Sequence, residues 1–333
     1  MRLIGVLLLA VLVASASAQQ PAIRWEPTGG PPIPDRREVV AMVMSAATAP
    51  WGGVFVADGY ALFAATDDGA WQKLIFSREP GLNITSTYAV IVTSRGDVLA
   101  YVSGHGVMRS RDRGETWRRV GLTQYVHAFI ETKSGSILAG TEDGIFRSSD
   151  DGESWNERSI GLSERMAGLI QFRIPALAAA ADGTVYAATW EGDIFRSTDD
   201  GDRWRPLGEY RGGYPSRALV ALRNGDVLAG GSRLARWDAA ARSWHVIQRS
   251  TDPRTAEIRA LVQNERGVVF AATNGDGVLA SFDGGNTWQS ANEGLTTKQV
   301  LTLAVDTQGR LFAGTPFSGV FRASSIGADV PRQ

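Results

Sequence analysis

Apolar positions along this chain come in short runs, and each run is followed by a turn rich in Gly, Asp or Asn. Residues 128–132 pair in pattern with 136–141, 218–222 with 226–230, and 260–263 with 268–273. Small and β-branched residues dominate these runs, as strands buried on both faces require. After each pair comes a Gly, then a third short run ending in a polar turn and a Trp. That unit recurs along nearly the whole chain, and a repeat at such a period predicts a ring or array of small sheets.

The third run carries the strongest internal signal. Residues 144–155 read GIFRSSDDGESW, and close relatives stand at 107–117, 194–204 and 278–288. Weaker echoes end in Trp71 and Trp244. In each strong copy an Asp (Asp112, Asp150, Asp199, Asp283) is expected to accept hydrogen bonds from backbone N–H groups one and two residues on, closing an Asx-type turn. The Gly two positions later supplies the positive φ of the reversal. The terminal Trp (Trp117, Trp155, Trp204, Trp288) buries a large apolar face while its indole N–H seeks an acceptor.

Counting anchors recovers the architecture. Trp25, Trp71, Trp117, Trp155, Trp204, Trp244 and Trp288 are spaced by 46, 46, 38, 49, 40 and 44 residues, which suits four short strands per unit. The last unit stops after three strands, with no terminal Trp. Residues 23–27, IRWEP, resemble 202–206, DRWRP, so the N-terminal strand is expected to complete the last blade. Such closure removes exposed sheet edges. The reading is an all-β, seven-bladed β-propeller of four-stranded antiparallel blades over 19–326, with six or eight blades left open by the degenerate unit at 39–71.

The Ser-x-Asp-x-Gly-x-(Ser/Thr)-Trp copies resemble the Asp-box, the bacterial neuraminidase repeat of sialidases and of many exported propellers with other functions. The resemblance implies a structural role for these Asp and Trp residues. A calcium-loop reading fails because the distal Glu and alternating oxygen ligands are missing. A second, shorter likeness lies at Phe172-Arg173-Ile174-Pro175, which matches the Phe/Tyr-Arg-Ile-Pro motif of sialidases. That likeness implies that Arg173 would grip a carboxylate and that Glu191 or Asp193 stands near the place of the general acid. The motif sits mid-chain rather than in the first blade. No Tyr/Glu nucleophile pair with the family's spacing is evident, although Glu209, Tyr210 and Tyr214 follow in the sequence.

Other features narrow the function. Arg2, an apolar run over 3–13 and Ala16-Ser17-Ala18 have the layout of a cleavable export signal at 1–18. The chain is therefore expected to be periplasmic or extracellular, with no membrane insertion after cleavage. It has no cysteine, so disulfide, thiol and cysteine–zinc chemistry are excluded. The 34 basic and 35 acidic residues nearly balance, which argues against a nucleic-acid surface. Three scattered histidines give no metal-ligand spacing, and no cofactor fingerprint is present. A monomer with a frayed tail at 327–333 is expected.

In such a ring the tight turns and Asp-boxes share one face, and the longer blade-to-blade connections share the other. Aligned repeats place Tyr88, His127, Pro175, Arg217, Arg259 and Leu301 at the start of the innermost strands. Arg173, Arg217 and Arg259, with His127 and Tyr88, are the candidate ligand-binding residues, able to hold a carboxylate or other anion. The expectation is a non-catalytic platform for a protein partner or an anionic or carbohydrate ligand. A sialidase-type hydrolase is the alternative.

Overall fold

The computed structural model describes residues 23–31, 42–65, 69–76, 86–162, 173–208, 216–247 and 257–323. The proposed signal, the C-terminal tail, Phe172, Glu209, Tyr210 and Tyr214 lie outside them. Among the described residues, twenty-eight strands form seven separate four-stranded antiparallel sheets, which are the seven blades of a β-propeller. Blades 2–6 each run inner to outer in chain order, as in blade 3: Val126–Glu131, Ile137–Thr141, Gly144–Ser148 and Asn156–Glu157. Blade 1 does the same from Ser45–Thr48 to Trp71–Leu74. Blade 7 takes its outer strand from the N-terminus, where Trp25–Pro27 pairs antiparallel with Val320–Ala323. The expected closure and the count of seven are both met.

The core lies between blades rather than within them. Seven clusters of buried apolar side chains each bridge two neighbouring blades. The junction of blades 3 and 4 illustrates the rule: Leu138 and Ile145 meet Ile174, Val185 and Phe195 there. The thinnest junction among the described residues joins blades 7 and 1, where the buried set is Val43, Val54, Val56, Phe312 and Val320.

The polar turn works differently from the expectation. In blade 3 the Asp150 carboxylate accepts from the backbone N–H of Ser154 at 2.9 Å and from its hydroxyl at 2.6 Å, four residues on. The shorter-range partner is the Ser148 hydroxyl, which donates to Asp150 and accepts from the Gly152 N–H, both at 2.7 Å. Blades 2, 4 and 6 repeat the serine contacts, and their Asp carboxylates again accept the backbone N–H four residues on. The reason is that two successive residues turn left-handed, Asp151 at φ 57° and Gly152 at φ 87°, which carries the chain around the carboxylate before its N–H groups can reach it. The hydrogen bonds hold the Asp112 carboxyl at about 2, with the Thr116 hydroxyl as the largest cause.

The anchors also divide. Trp117, Trp155 and Trp288 donate from Nε1 to the carbonyl of their own turn glycine, at 2.9–3.0 Å. Trp25, Trp204 and Trp244 reach instead to Ala291, Arg158 and Leu207 in the preceding blade. Among the described residues Trp71 Nε1, which is buried, has no hydrogen-bond partner.

The turns of blades 3, 4 and 6 additionally clasp the blade before them. Arg109 of blade 2, whose side chain is only 2% exposed, holds Asp97 in its own blade and Glu153 in the turn of blade 3. Arg147 of blade 3 reaches Asp202 in blade 4 at 3.0 Å. Arg236 of blade 5 holds Asp226 in its own blade and the Asn286 side chain in blade 6. Arg109, Arg147 and Arg236, each on the third strand of its blade, therefore tie blades together, a role the sequence pattern did not disclose.

Candidate functional site

The inner strands begin on the face opposite these turns. A backbone hydrogen bond recurs there in blades 2, 3, 4 and 6, joining the strand start to the turn between the second and third strands of its blade. The bonds are Ser103 N–H to Ser86 at 2.8 Å, Glu142 to Tyr125 at 3.1 Å, Trp190 to Arg173 at 2.9 Å and Asn274 to Glu257 at 3.0 Å. Ser86, Tyr125, Arg173 and Glu257 are thus equivalent positions. Two residues further on stand Tyr88, His127, Pro175 and Arg259, as the aligned repeats predicted. The residue between them seals the blade junction: Ile174 and Ile258 are buried and bond backwards to Thr141 and Gly231, each at 2.8 Å.

These strand starts bring the candidates together across blades 2 to 6. Tyr88 packs on Tyr125 at 5.2 Å between ring centroids, and Tyr125 packs on His127 at 4.8 Å. The guanidinium of Arg217 lies 4.5 Å from the ring centre of Trp190, and that of Arg173 lies 5.8 Å from the same ring. Arg217 and Arg259 share the Glu257 carboxylate, at 2.9 and 3.1 Å. The three arginines are therefore linked pairwise, through Trp190 on one side and Glu257 on the other. Two of them already hold a carboxylate of the protein itself.

Titration follows from this company. Burial, then the Arg173 and Arg217 charges, push His127 down to about 4, so its imidazole is neutral at pH 7. Burial raises the Tyr125 hydroxyl, helped by Tyr88, Tyr101 and Glu142, and it stays protonated. Burial also lowers the Arg259 guanidinium against the opposing pull of Glu257.

One observation singles out this mouth. Among the described residues, the buried side-chain atoms without a hydrogen-bond partner are His127 Nε2, Glu191 Oε2, Ser216 Oγ, Arg217 Nε, Arg259 Nε and Trp71 Nε1. All but the last belong to the mouth. Arg217 Nε makes its ion pair with Glu257 without the angle of a hydrogen bond. Buried polar atoms are ordinarily satisfied, so a cluster of orphans marks a place prepared for a ligand or ordered water.

Glu191 and Asp193 lie in the turn 190–193 of blade 4, on this same face. Asp193 is tied by its backbone to Thr189, donating to the hydroxyl at 3.1 Å, whereas Glu191 carries one of the orphaned oxygens. Asp112, Asp150, Asp199 and Asp283, with their Trp partners, lie in turns on the opposite face. Tyr125, Trp190 and Glu257 were missed from the sequence. The first and last share Arg173's repeat position, so the alignment that found the arginines could have found them. Among the described residues no group of three His, Asp or Glu is placed to hold a metal ion.

No protein-family model and no curated protein matches the chain. Solved structures do. An extracellular domain, described as that of a one-component system of B. thetaiotaomicron, is similar with a TM-score of 0.70 at 14% identity, over 90% of this chain. This chain spans only 40% of that one's length. YCF48 bound to D1 peptide is similar with a TM-score of 0.66 at 16% identity, over 91% of this chain and 99% of the other. Virginiamycin B lyase from Staphylococcus aureus with quinupristin gives 0.67 at 11%, over 91% and 99%. At these identities the likeness establishes the propeller fold alone. No helix of the described residues is long and apolar enough to cross a membrane.

Proposed function

We propose that the chain is an exported binding platform whose mouth face takes a carboxylate-bearing segment of a protein partner. The cluster of orphaned buried atoms carries this reading. Arg217 and Arg259 offer N–H donors to a carboxylate, and Glu191 asks for a donor in return. A peptide supplies both, through a carboxylate and its backbone N–H groups. The wall of Tyr88, Tyr125 and Trp190 gives apolar area beside the charges, the usual mix of a recognition site. Glu257 holds the two arginines in position, and a ligand carboxylate competes with it. The peptide-bound propeller among the similar structures supports a protein partner. Asp-box identity of the turns, removal of residues 1–18 and export belong to the same reading.

The test is capture of partners from the envelope of the source cell by the tagged mature chain, followed by titration with peptides copied from the captured partner. Replacing Arg217 and Arg259 together by Gln should weaken binding by about two orders of magnitude, at roughly 1.5 kcal/mol for each charged contact. Equal binding by wild type and double variant sinks the proposal. Arg173 and Glu191 also fit an acid-sugar hydrolase of sialidase type. Turnover of a fluorogenic sialoside, lost in Arg173→Ala, would favour that reading instead.

A further inference from the structure

The mouth is not uniform around the ring. Met44 donates from its N–H to Ala57 at 2.8 Å, as Arg217 does to Gly230 and Leu301 to Gly314. The residues before Met44, Arg259 and Leu301 bond back to the preceding blade in one way, at Thr315, Gly231 and Thr273. Met44 and Leu301 therefore hold in blades 1 and 7 the position of Tyr88, His127, Pro175, Arg217 and Arg259. Around the ring, this position is apolar or aromatic in blades 7, 1 and 2. It carries a histidine or arginine in blades 3, 5 and 6.

The apolar arc faces solvent. Six large apolar side chains are exposed among the described residues, and three of them lie here: Met44 at 43%, Tyr60 at 42% and Phe317 at 55%. The other three, Ile75, Ile160 and Val246, stand on or just beyond the outer strands of three different blades. Tyr60 and Phe317 belong to the mouth-face turns of blades 1 and 7, and both turns are locked. The Asp58 carboxylate accepts the N–H groups of Tyr60 and Ala61 at 2.9 and 2.7 Å. Thr315 closes its turn on the Gly319 carbonyl, at 3.0 Å from its N–H and 2.8 Å from its hydroxyl. Thr273 and Gly277 make the same two contacts in blade 6, where the residue corresponding to Phe317 is Gly275. Phe317 nevertheless keeps a left-handed backbone, at φ 66°. A bulky residue is an outlier in that region, and burial returns nothing for one that stays in solvent.

We infer that Met44, Tyr60 and Phe317 receive a bulky apolar side chain of the same partner segment whose carboxylate the arginines hold. The inference rests on the reading of the mouth as a peptide platform and names what the partner must carry: an acid and, beyond it, a leucine, methionine or aromatic residue. The arc continues the site already described, because Leu301 and Phe317 stand one blade after Arg259, and Met44 stands one blade before Tyr88. The two arcs differ in chemistry, so an acidic segment with an apolar side chain fits in one direction only. Locked turns hold the apolar tips in place, which spares the complex the cost of ordering them. Apolar anchors set beside charged contacts are the usual carriers of affinity.

Selection of random phage-displayed peptides against the whole chain tests this. The expected winners combine Asp or Glu with Leu, Met, Phe or Trp. Phe317→Asn, in which asparagine tolerates the same backbone, should lose the apolar preference and keep the acidic one. Arg217→Gln with Arg259→Gln should do the reverse. A synthetic winning peptide, followed by fluorescence polarisation, should bind Phe317→Asn and Tyr60→Ser each about tenfold more weakly than wild type. Their denaturation midpoints should be no lower than that of the wild type. Winners with an acid and no apolar preference overturn this inference and leave the platform standing. Winners without an acid sink the platform reading, and no enrichment of either kind overturns both. Equal binding by wild type and both variants also overturns the inference, as does a loss matched by lower midpoints in both, which makes the residues structural. Two other occupants would each overturn it as well. An apolar preference that appears only once residues 32–38 are replaced by Gly and Ser assigns the arc to the chain's own connection. A dimer broken by Phe317→Asn assigns it to a second copy.

Discussion

Among single residues, His127 shows how environment sets chemistry. The sequence displays a histidine at a strand start and nothing more. In the ring it lies between Tyr125 and two arginines, and its pKa falls to about 4 from the ordinary 6.5. The sign follows from linkage: as pH drops, the unfolded chain takes up the proton first, because its histidine has the higher pKa. The associated stability is complete above about 6.5 and is lost as pH falls towards about 4. Denaturant melts across this range should therefore show a pH-dependent loss that is smaller in His127→Gln, by on the order of 2 kcal/mol. Superimposable pH profiles would contradict the buried neutral imidazole. The candidate arginines were legible from the repeat register, but their mutual bridge was not, since Glu257 and Trp190 each reach Arg217 across a blade boundary.

Among the structural elements, the repeated turn does two jobs. Its Ser, Asp and Gly shape the hairpin; the parts of Asp and Gly followed from the pattern, although the Asp acts four residues on rather than one or two, whereas the Ser hydroxyl's part did not. Its position after the Gly serves the neighbouring blade. Arg109 is buried against Asp97 and Glu153, while Arg111, 62% exposed in its side chain, touches only the latter. Arg109→Met should cost about 3 kcal/mol, because two carboxylates lose a buried partner. Arg111→Gln should cost less than about 1 kcal/mol. Chemical denaturation of both variants checks the contrast, and equal losses would mean that the clasp contributes no more than a surface pair.

For the molecule as a whole, closure rests on the first described strand. Trp25 is 2% exposed, donates to Ala291 at 2.6 Å, and joins the cluster between blades 6 and 7. Trp25→Ala should destabilise the protein by about 3–5 kcal/mol, the range for a large aromatic removed from a core. Hydrogen exchange should then quicken first in Val320–Ala323, which loses its outer neighbour. Uniform exchange across all blades would instead argue that the ring opens as one unit. The two functional proposals also concern the assembled ring, since each site is built from strands distant in sequence.

Local periodicity and counting were enough to read the repeat, its turns and the closing strand from the amino acids alone, and to favour a ring of seven over six or eight. Which side chains meet between blades emerged only from the folded ring. Ile174-Pro175 proved to sit at a junction position that Ile258 fills elsewhere, so part of the sialidase-like motif is explained by packing. The Glu257 bridge and the inter-blade clasps both depend on the small rotation that carries one blade to the next. That rotation brings together residues roughly 40–50 positions apart in the chain, a separation at which neither alternation nor turn chemistry carries information.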